Sequence, residues 1–238
     1  MRVACMIQAR MGSTRLPGKV LKEINGMPLI QHIWRRLLRC NGIDVAMVSI
    51  GRDAQSRYFD LVGFCVNNGI PTDVGTAENV IGRMLNVGRT AFAGAVVRVT
   101  GDCLFHDPAQ IDLGIMKFVS EWPKHSALFS WPRRAVSEGL DFEVWSTELL
   151  AKLDKRTDVD RESVAQWAWD RREELGVGSL YPHCEENPGD PHLSIDTQED
   201  VERAEKMLAV LGNDKWRWVD TQAAWRKVDG PKIEIARA

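Results

Sequence analysis

Three short, mostly apolar segments recur in the N-terminal part of the chain and constrain its fold more than any other feature. They are VACMI at 3–7, VAMVSI at 45–50 and AVVRVT at 95–100. Such runs are typical of buried strands. Apolar residues at helical spacing lie between them, at 28–38, 53–68 and 79–92. Strands that alternate with helices predict right-handed crossovers and a mainly parallel sheet, and therefore an α/β fold.

The first of these strands opens into a loop rich in glycine and positive charge. The loop contains Gly12, Gly18 and three cations, Arg10, Arg15 and Lys19. Glycine lets the backbone approach an anion and turn its N–H groups toward it. Arginine offers phosphate a planar fork of donors, and lysine offers a compact charge. Because ligands of open α/β sheets bind beyond the carboxyl ends of the strands, we predict a phosphate-binding loop here.

The spacing of this loop excludes the best-known phosphate-binding motifs. Five residues separate Gly12 from Gly18, whereas the P-loop pattern G-x-x-x-x-G-K-[ST] has four. Lys19 is followed by Val20 instead of a hydroxyl residue that could ligate magnesium. The dinucleotide pattern G-x-G-x-x-G is absent from the loop as well.

One aspartate is a candidate metal ligand, and a second is not explained by local structure. Asp102 follows the strand at 95–100, and if that strand neighbours the first, Asp102 faces the bound phosphates. A carboxylate repels phosphate unless a cation lies between them, and Mg²⁺ commonly binds one or two carboxylates plus phosphates. A turn or helix cap is the alternative role for Asp102. Asp196 follows a predicted short strand at 193–195 and precedes a capping box that begins at Thr197, which leaves Asp196 without a local structural role.

Four motifs together resemble a known family. They are IQARMGSTRLPGK at 7–19, VRVTGDC with the following Asp-Pro at 97–108, GLDFEVW at 139–145 and LSIDTQED at 193–200. Their order resembles that of the cytidylyltransferases that activate acidic sugars, the acylneuraminate and 3-deoxy-manno-octulosonate enzymes, and most closely the spore coat polysaccharide biosynthesis protein F type. The resemblance implies a single-domain, Rossmann-like, glycosyltransferase-A-like nucleotidyltransferase. It also implies Mg²⁺-dependent transfer of CMP from CTP to a sugar acid, with release of pyrophosphate, for surface polysaccharide synthesis.

The resemblance also implies roles for particular residues. Catalytic roles fall on Arg15, Lys19, Asp102 and Asp196, of which the two aspartates would bind the metal. Nucleotide-binding roles fall on Ala9, Arg10, Met11, Gly12, Ser13, Arg15, Lys19, Glu78, Asn79, Arg83, Thr100 and Asp102. Acceptor-binding roles fall on Asp141, Glu143, Arg161 and Glu162.

Several of these assignments have structural alternatives. Glu78 could instead cap a helix, and Arg83 could be a solvated helix charge. Asp141 and Glu143 alternate with apolar residues, which half-exposed strands also show. Arg161 and Glu162 could simply pair with each other.

The sequence departs from the family pattern at two places. Leu104-Phe105-His106 stands where the family has Pro-Leu-Ile, and Ser163 stands where it has a histidine. No role of that histidine transfers to this chain.

Length and composition bound the remaining possibilities. The 238 residues suit one nucleotidyltransferase domain at 1–212 with a tryptophan-rich extension at 213–238. A net charge of −2 gives no reason to expect nucleic acid or a membrane as partner, and no apolar run predicts a transmembrane helix or a secretory signal, so we expect a cytoplasmic protein. Five scattered cysteines predict neither disulfides nor a zinc ribbon.

The remaining alternatives concern the substrates and the state of assembly. Enzymes that use UTP or GTP on a sugar phosphate would need the same loop and metal site. A glycosyltransferase or a nucleotide-sugar-binding protein on a similar fold is the other alternative. The sequence leaves the oligomeric state open, although the resemblance makes a homodimer one option.

Overall fold

The computed structural model describes residues 1–53, 57–131, 137–181 and 191–230. The strands in these ranges are β1 (Val3–Arg10), β2 (Glu23–Ile24), β3 (Met27–Pro28), β4 (Val45–Arg52), β5 (Thr72–Thr76), β6 (Ala95–Thr100), β7 (Ala127–Phe129), β8 (Glu143–Ser146) and β9 (Val177–Ser179). One sheet has the strand order β5-β4-β1-β6-β8-β7-β9, and β2 pairs with β3 separately.

The larger sheet is mainly parallel, as predicted. β1 lies between β4 and β6 and runs parallel to both, while β5 extends the parallel part beyond β4. β8 runs antiparallel to both of its neighbours, β6 and β7, and β9 pairs with β7 in parallel. The carboxyl ends of β1 and β6 therefore open side by side at the same edge of the sheet. Because β6 pairs directly with β1, Asp102 lies beside the loop that follows β1.

Helices cover both faces of the sheet. The described helices are α1 (Leu29–Leu37), α2 (Tyr58–Asn67), α3 (Val80–Thr90), α4 (Pro108–Glu121), α5 (Thr147–Leu153), α6 (Val164–Asp170), α7 (Arg172–Leu175), α8 (Gln198–Leu211) and α9 (Trp218–Val228). Within the described ranges, no helix combines the length and the apolar character needed to cross a bilayer.

Two apolar layers explain why the central strands are almost continuously hydrophobic. Along β1, Cys5 and Ile7 belong to the layer formed with α1, α4 and α8, whereas Ala4 and Met6 belong to the layer formed with α3 and α5. Successive side chains of a strand point to opposite faces, so a sheet covered on both faces needs apolar residues at nearly every position. The polar residues at the strand ends are then available for a site.

Three predicted elements differ from the structure. The strand predicted over 139–145 is only Glu143–Ser146, and the one predicted over 193–195 is absent, because the amides of Leu193 and Ile195 donate singly to the carbonyls of Glu138 and Asp102. The sequence at 160–174 also favours a helix, but helix begins only at Val164, as α6 followed by the short α7. The Asp160 carboxylate accepts from the amides of Glu162 and Ser163, and this turn competes with helix formation. Part of the helix predicted over 53–68 lies outside the described residues; α2 begins at Tyr58.

The chain beyond Gly212 packs closely on the remainder. Trp216 is 7 % exposed, and Thr221 and Ala224 of α9 are buried. α9 packs along α8. Residues 231–238 of the predicted extension lie outside the described part of the chain.

Candidate active site

The loop after β1 has the backbone geometry that its glycines predict. Gly18 adopts a left-handed conformation with φ of +69°, and its amide donates to the Met11 carbonyl at 3.1 Å. This bond closes the loop, and the 3₁₀ turn Lys19–Leu21 follows directly. A side chain at Gly12 would lie 2.9 Å from the Asp53 carboxylate. The loop therefore has a fixed shape that delivers Lys19 inward, where it is 9 % exposed.

Lys19 joins the two candidate aspartates. Its Nζ donates to Asp102 Oδ2 at 2.6 Å and to Asp196 Oδ1 at 2.9 Å. Burial opposes the charge of Lys19, but the two carboxylates outweigh it and raise its pKa. Burial likewise opposes the charge of Asp102, yet Lys19 and hydrogen bonds lower the pKa of that carboxyl. Three residues predicted from separate motifs thus form one charged cluster.

The segment carrying Asp196 is held by three surrounding elements. Ile195 N donates to the Asp102 carbonyl at 2.8 Å, and Asp196 N donates to the carboxylate of Asp200 at 2.9 Å. Asp200 also completes the predicted capping box with Thr197 at the start of α8, which is confirmed. Arg15 Nη2 lies 3.0 Å from Asp196 Oδ1. Asp196 therefore faces the cations of the loop while its backbone is fixed from behind.

Sequence reasoning missed a histidine network beside Asp196. His192 Nδ1 lies 3.0 Å from Glu138 Oε2, and its Nε2 lies 2.8 Å from Ser194 Oγ. Ser194 Oγ in turn lies 3.3 Å from Asp196 Oδ2. His192, Ser194 and Asp196 alternate along an extended segment, so they share a side, and this spacing was the signal available in the sequence.

A cleft of about 590 Å³ contains most of the predicted residues. Those that line it are Arg10, Gly12, Ser13, Arg15, Lys19, Arg83, Thr100, Asp102, Glu162 and Asp196. Lining residues that the sequence did not single out are Gln8, Thr14, Val20, Ala77, Gly101, Glu138 and Ser194. The predicted residues outside the lining are Ala9, Met11, Glu78, Asn79, Asp141, Glu143 and Arg161. Cations and carboxylates of the lining lie side by side, with Lys19 against Asp102, Arg15 against Asp196 and Arg10 against Glu162.

The segment at 78–83 contributes a buried cation to the cleft. Arg83 is 3 % exposed, and its Nη1 and Nη2 donate to the carbonyls of Ser49 and Ala77. Its Nε has no hydrogen-bond partner. Burial, reinforced by Arg98, lowers the pKa of Arg83 to about 10. The alternative of a solvated helix charge is therefore wrong for Arg83, whereas the helix cap at this position is Asn79, which accepts from Gly82 N at 3.0 Å.

Glu143 is buried, although its alternation with apolar residues is also typical of a half-exposed strand. Its carboxylate is 6 % exposed and forms an ion pair with Arg98 at 2.7 Å. Trp131 Nε1 and Trp145 Nε1 also donate to it. Arg98 Nε donates to Gln8 Oε1 at 2.7 Å, and Gln8 lines the cleft. Glu143 thus lies one layer behind the cleft.

Arg161 and Glu162 do not pair with each other. Arg161 NH1 donates to Asp154 at 3.0 Å and to Asn79 at 3.1 Å, so this residue ties the 154–161 segment to the start of α3. Glu162 lies in the cleft wall, 3.4 Å from Arg10 NH1. Of the two, Glu162 is the one placed to meet a ligand.

The donor set at the cleft suits a cation that shares its coordination with substrate. In the described residues, no group of three or more histidine, cysteine or acidic side chains is arranged to hold a metal. Asp102 and Asp196 nevertheless approach one ammonium nitrogen within 2.9 Å. Two carboxylates with phosphate oxygens and water are the usual ligands of Mg²⁺ in nucleotide sites. The residues present therefore fit a divalent cation that arrives with a triphosphate.

A mainly parallel sheet, with a glycine-containing cationic loop at one strand end and two carboxylates against it, is typical of nucleotidyltransferase-like α/β proteins. The chain belongs to the cytidylyltransferase family, whose model matches residues 4–215. The resemblance inferred from the four motifs is confirmed, as are the fold class and the membership of an enzyme family.

Three similar proteins illustrate the extent of the likeness. The spore coat polysaccharide biosynthesis protein SpsF of Bacillus subtilis is 26% identical over 212 residues, covering 87% of this chain and 86% of that protein. The 3-deoxy-manno-octulosonate cytidylyltransferase of Trichlorobacter lovleyi is 33% identical over 119 residues, covering 50% of this chain and 46% of that protein, so the match spans about half of each. The solved structure of a cytidylyltransferase from Leptospira borgpetersenii superposes with a TM-score of 0.84 at 26% identity, covering 95% of this chain and 94% of that one.

Proposed function

We propose that this protein transfers CMP from CTP to a sugar acid in a Mg²⁺-dependent reaction that releases pyrophosphate, in the synthesis of a surface polysaccharide. The observation that carries the proposal is the pair of hydrogen bonds from Lys19 to Asp102 and Asp196, beyond the carboxyl ends of β1 and β6. Membership of the cytidylyltransferase family supports the use of CTP. The names of two similar proteins, a 3-deoxy-manno-octulosonate cytidylyltransferase and a spore coat polysaccharide protein, support the acceptor class and the pathway type.

The loop after β1 would hold the triphosphate. Arg15 is 64 % exposed at its side chain and Arg10 57 %, so both guanidinium groups are accessible to phosphate oxygens. Lys19 is buried at the cleft floor, where its ammonium would neutralise charge that develops on the leaving pyrophosphate. Ala9 and Met11 flank the loop and would fix its backbone, while Gly12 and Ser13 line the cleft.

Catalysis would consist of positioning and charge neutralisation. An acceptor oxygen attacks the α-phosphorus in line with the departing pyrophosphate, and little covalent work falls to the protein. Asp102 and Asp196 would hold Mg²⁺, which when bound neutralises phosphate charge and favours ionisation of the acceptor hydroxyl. Lys19 contacts both carboxylates and Arg15 contacts Asp196, so cationic side chains offset their negative charge.

The remaining walls of the cleft would select base and acceptor. Arg83 and Thr100 line the cleft, and we assign them with Glu78 and Asn79 to the nucleoside. Glu162 lines it beside Arg10 and would contact the acceptor, together with Asp141. Arg161 and Glu143 would support this wall from behind through Asn79 and Arg98.

Nucleotide-dependent stability tests the proposal directly. Unfolding would be followed with CTP, UTP, GTP or ATP, each with Mg²⁺ or with chelator, for the wild type and Asp102→Asn. A ligand that binds only the folded state stabilises it by about 2.7 kcal/mol at 100 times its dissociation constant. Selective stabilisation by CTP that depends on Mg²⁺ and on Asp102 is the expected result. Stabilisation by another nucleotide would overturn the substrate assignment, and no stabilisation by any of them would overturn the loop assignment.

A further inference from the structure

The tryptophan-rich segment after α8 has no part in the function proposed so far, yet it lies against the loop that carries Asp102. The indole of Trp216 packs against the ring of Phe105, with ring centroids 5.6 Å apart. The guanidinium carbon of Arg36 lies 3.0 Å from the centroid of the Trp216 ring. We call residues 213–218 the C-terminal clasp.

Arg36 joins the clasp to the Asp102 loop. Its guanidinium is buried, and it donates to the His106 carbonyl in the loop and to the carbonyls of Asp214 and Trp216 in the clasp, the last two at 3.0 and 2.7 Å. Burial lowers the pKa of Arg36 to about 9. A buried cation is costly unless its donors are used, and here all three nitrogens are used on backbone groups of two distant segments. Its contacts therefore fix the relative position of these segments.

Asp107 supplies a second, independent connection. Its carboxylate is 1 % exposed at the side chain, and Arg217 Nε lies 3.0 Å from both of its oxygens. The amide of Trp218 donates to the same carboxylate at 3.0 Å. Asp107 also caps α4 by accepting from Ala109 N. One carboxylate thus begins α4, ends the Asp102 loop and receives the clasp.

The Asp102 loop is consequently fixed at both ends by different parts of the chain. At Asp102 its carbonyl accepts from Ile195, next to the other candidate metal ligand. At residues 105–107 it is held by the clasp through the ring contact, Arg36 and Asp107. Loss of the clasp would remove the ring contact at Phe105 and the two partners that Asp107 finds in the clasp, and Arg36 would lose the carbonyls that hold it on that side.

We propose that the C-terminal clasp positions Asp102 for binding the cation and the triphosphate, with Arg36, Asp107 and Arg217 as positioning residues. This inference rests on the proposed function, because it takes Asp102 as a cation ligand. A clasp that only stabilised the fold would change the unfolding temperature and leave cation binding unaltered. A positioning clasp changes the concentration of Mg²⁺ at which CTP binds.

The experiment is a calorimetric titration of the full chain with CTP at a series of MgCl₂ concentrations and in chelator. Arg217→Met is the main variant, because this side chain is 53 % exposed and its loss leaves the clasp backbone in place. Asp107→Asn is the second variant. Arg226→Met, on the exposed last turn of α9, is the matched control.

We expect Arg217→Met and Asp107→Asn to raise the half-saturating Mg²⁺ concentration about 10-fold. Neither variant should change the affinity for CTP measured in chelator. The Mg²⁺ curve of Arg226→Met should match that of the wild type. If the Mg²⁺ curves of both variants superpose on that of the wild type, the clasp does not position Asp102, whether or not the unfolding temperature falls. A wild type that binds CTP without any dependence on Mg²⁺ would overturn the proposed function itself, so the two failures are distinguishable.

Discussion

At the scale of single residues, Lys19 sets the charge balance of the candidate site. Its ammonium is shared between Asp102 and Asp196 and is 11 % exposed at the side chain. Two carboxylates this close would repel each other without it. A divalent cation bound between the two carboxylates would offset the same repulsion, so Lys19 and Mg²⁺ would neutralise the same negative charge.

Replacement of Lys19 by methionine tests this relation. We expect Lys19→Met to lower the free energy of unfolding by about 3 kcal/mol, because it removes the cation that two partly buried carboxylates share. Millimolar Mg²⁺ should restore part of this loss, measured by urea denaturation with and without MgCl₂. Lys22→Met, at an exposed site near the same turn, is the control and should show neither effect. A Lys19→Met protein insensitive to Mg²⁺ would contradict the cation site.

Arg83 gives a second prediction at this scale. Its side chain lines the cleft, which places a guanidinium charge beside the space proposed for the nucleotide. A hydrogen bond to a charged donor is worth about 1.5–3 kcal/mol, and we expect Arg83→Met to weaken CTP binding roughly 10- to 100-fold. Arg89→Met, on the exposed last turn of the same helix, should bind CTP like the wild type. Equal affinities of the two variants in calorimetry would exclude Arg83 from the nucleotide site.

At the scale of elements, the sequence predicts those strands and helix caps that depend on neighbouring residues in the chain. The strand β6 (Ala95–Thr100) and the capping box at Thr197 follow from hydrophobic runs and cap residues, and both are confirmed. The predicted strand at 193–195 fails because its amides bond to single carbonyls of two loops, which no local pattern reveals. The burial of Glu143 was also missed, since its partner Arg98 lies on another strand. Motif order identified Lys19, Asp102 and Asp196, but the contacts of Glu138 with His192 needed the tertiary structure.

Gly139 tests how closely the loops around Asp196 fit together. It has φ of +94°, and a Cβ there would lie 2.5 Å from Ser194 N and 2.6 Å from the carbonyl carbon of Leu193. We expect Gly139→Ala to displace the Asp196 segment and to cost well over the roughly 1–2 kcal/mol of a left-handed alanine. Gly69→Ala, with φ of +66° and open space around it, measures that conformational cost alone. Similar unfolding energies and similar CTP binding for both variants would contradict the close fit.

At the scale of the whole molecule, folding buries polar side chains as well as the two apolar layers, and this burial affects the stability of the entire protein. His106 illustrates this: it is 1 % exposed, and it lies in the segment that Arg36 ties to the chain beyond α8. Burial, followed by the charge of Arg36, lowers the pKa of His106 to about 4. A histidine held neutral in the folded protein makes global stability depend on pH.

The sign of this dependence follows from the two pKa values. Between about pH 4 and 6.5 the unfolded chain binds a proton at His106 that the folded protein does not, so stability rises with pH in this window and levels off above it. The stability lost on acidification through this window amounts to about 3 kcal/mol, at 1.36 kcal/mol for each unit of pKa. Urea denaturation at a series of pH values measures it. His106→Gln should flatten the slope in this window, and an unchanged slope would contradict the assignment.

The bond between Lys19 and Asp196 joins residues 177 positions apart along the chain. Synthesis of the chain therefore completes the loop after β1 long before the second carboxylate. In between, the nascent protein carries the cations of that loop without Asp196 to face them. The cluster of Lys19, Asp102 and Asp196 can form only after the segment that carries Asp196 has folded back against the first strand.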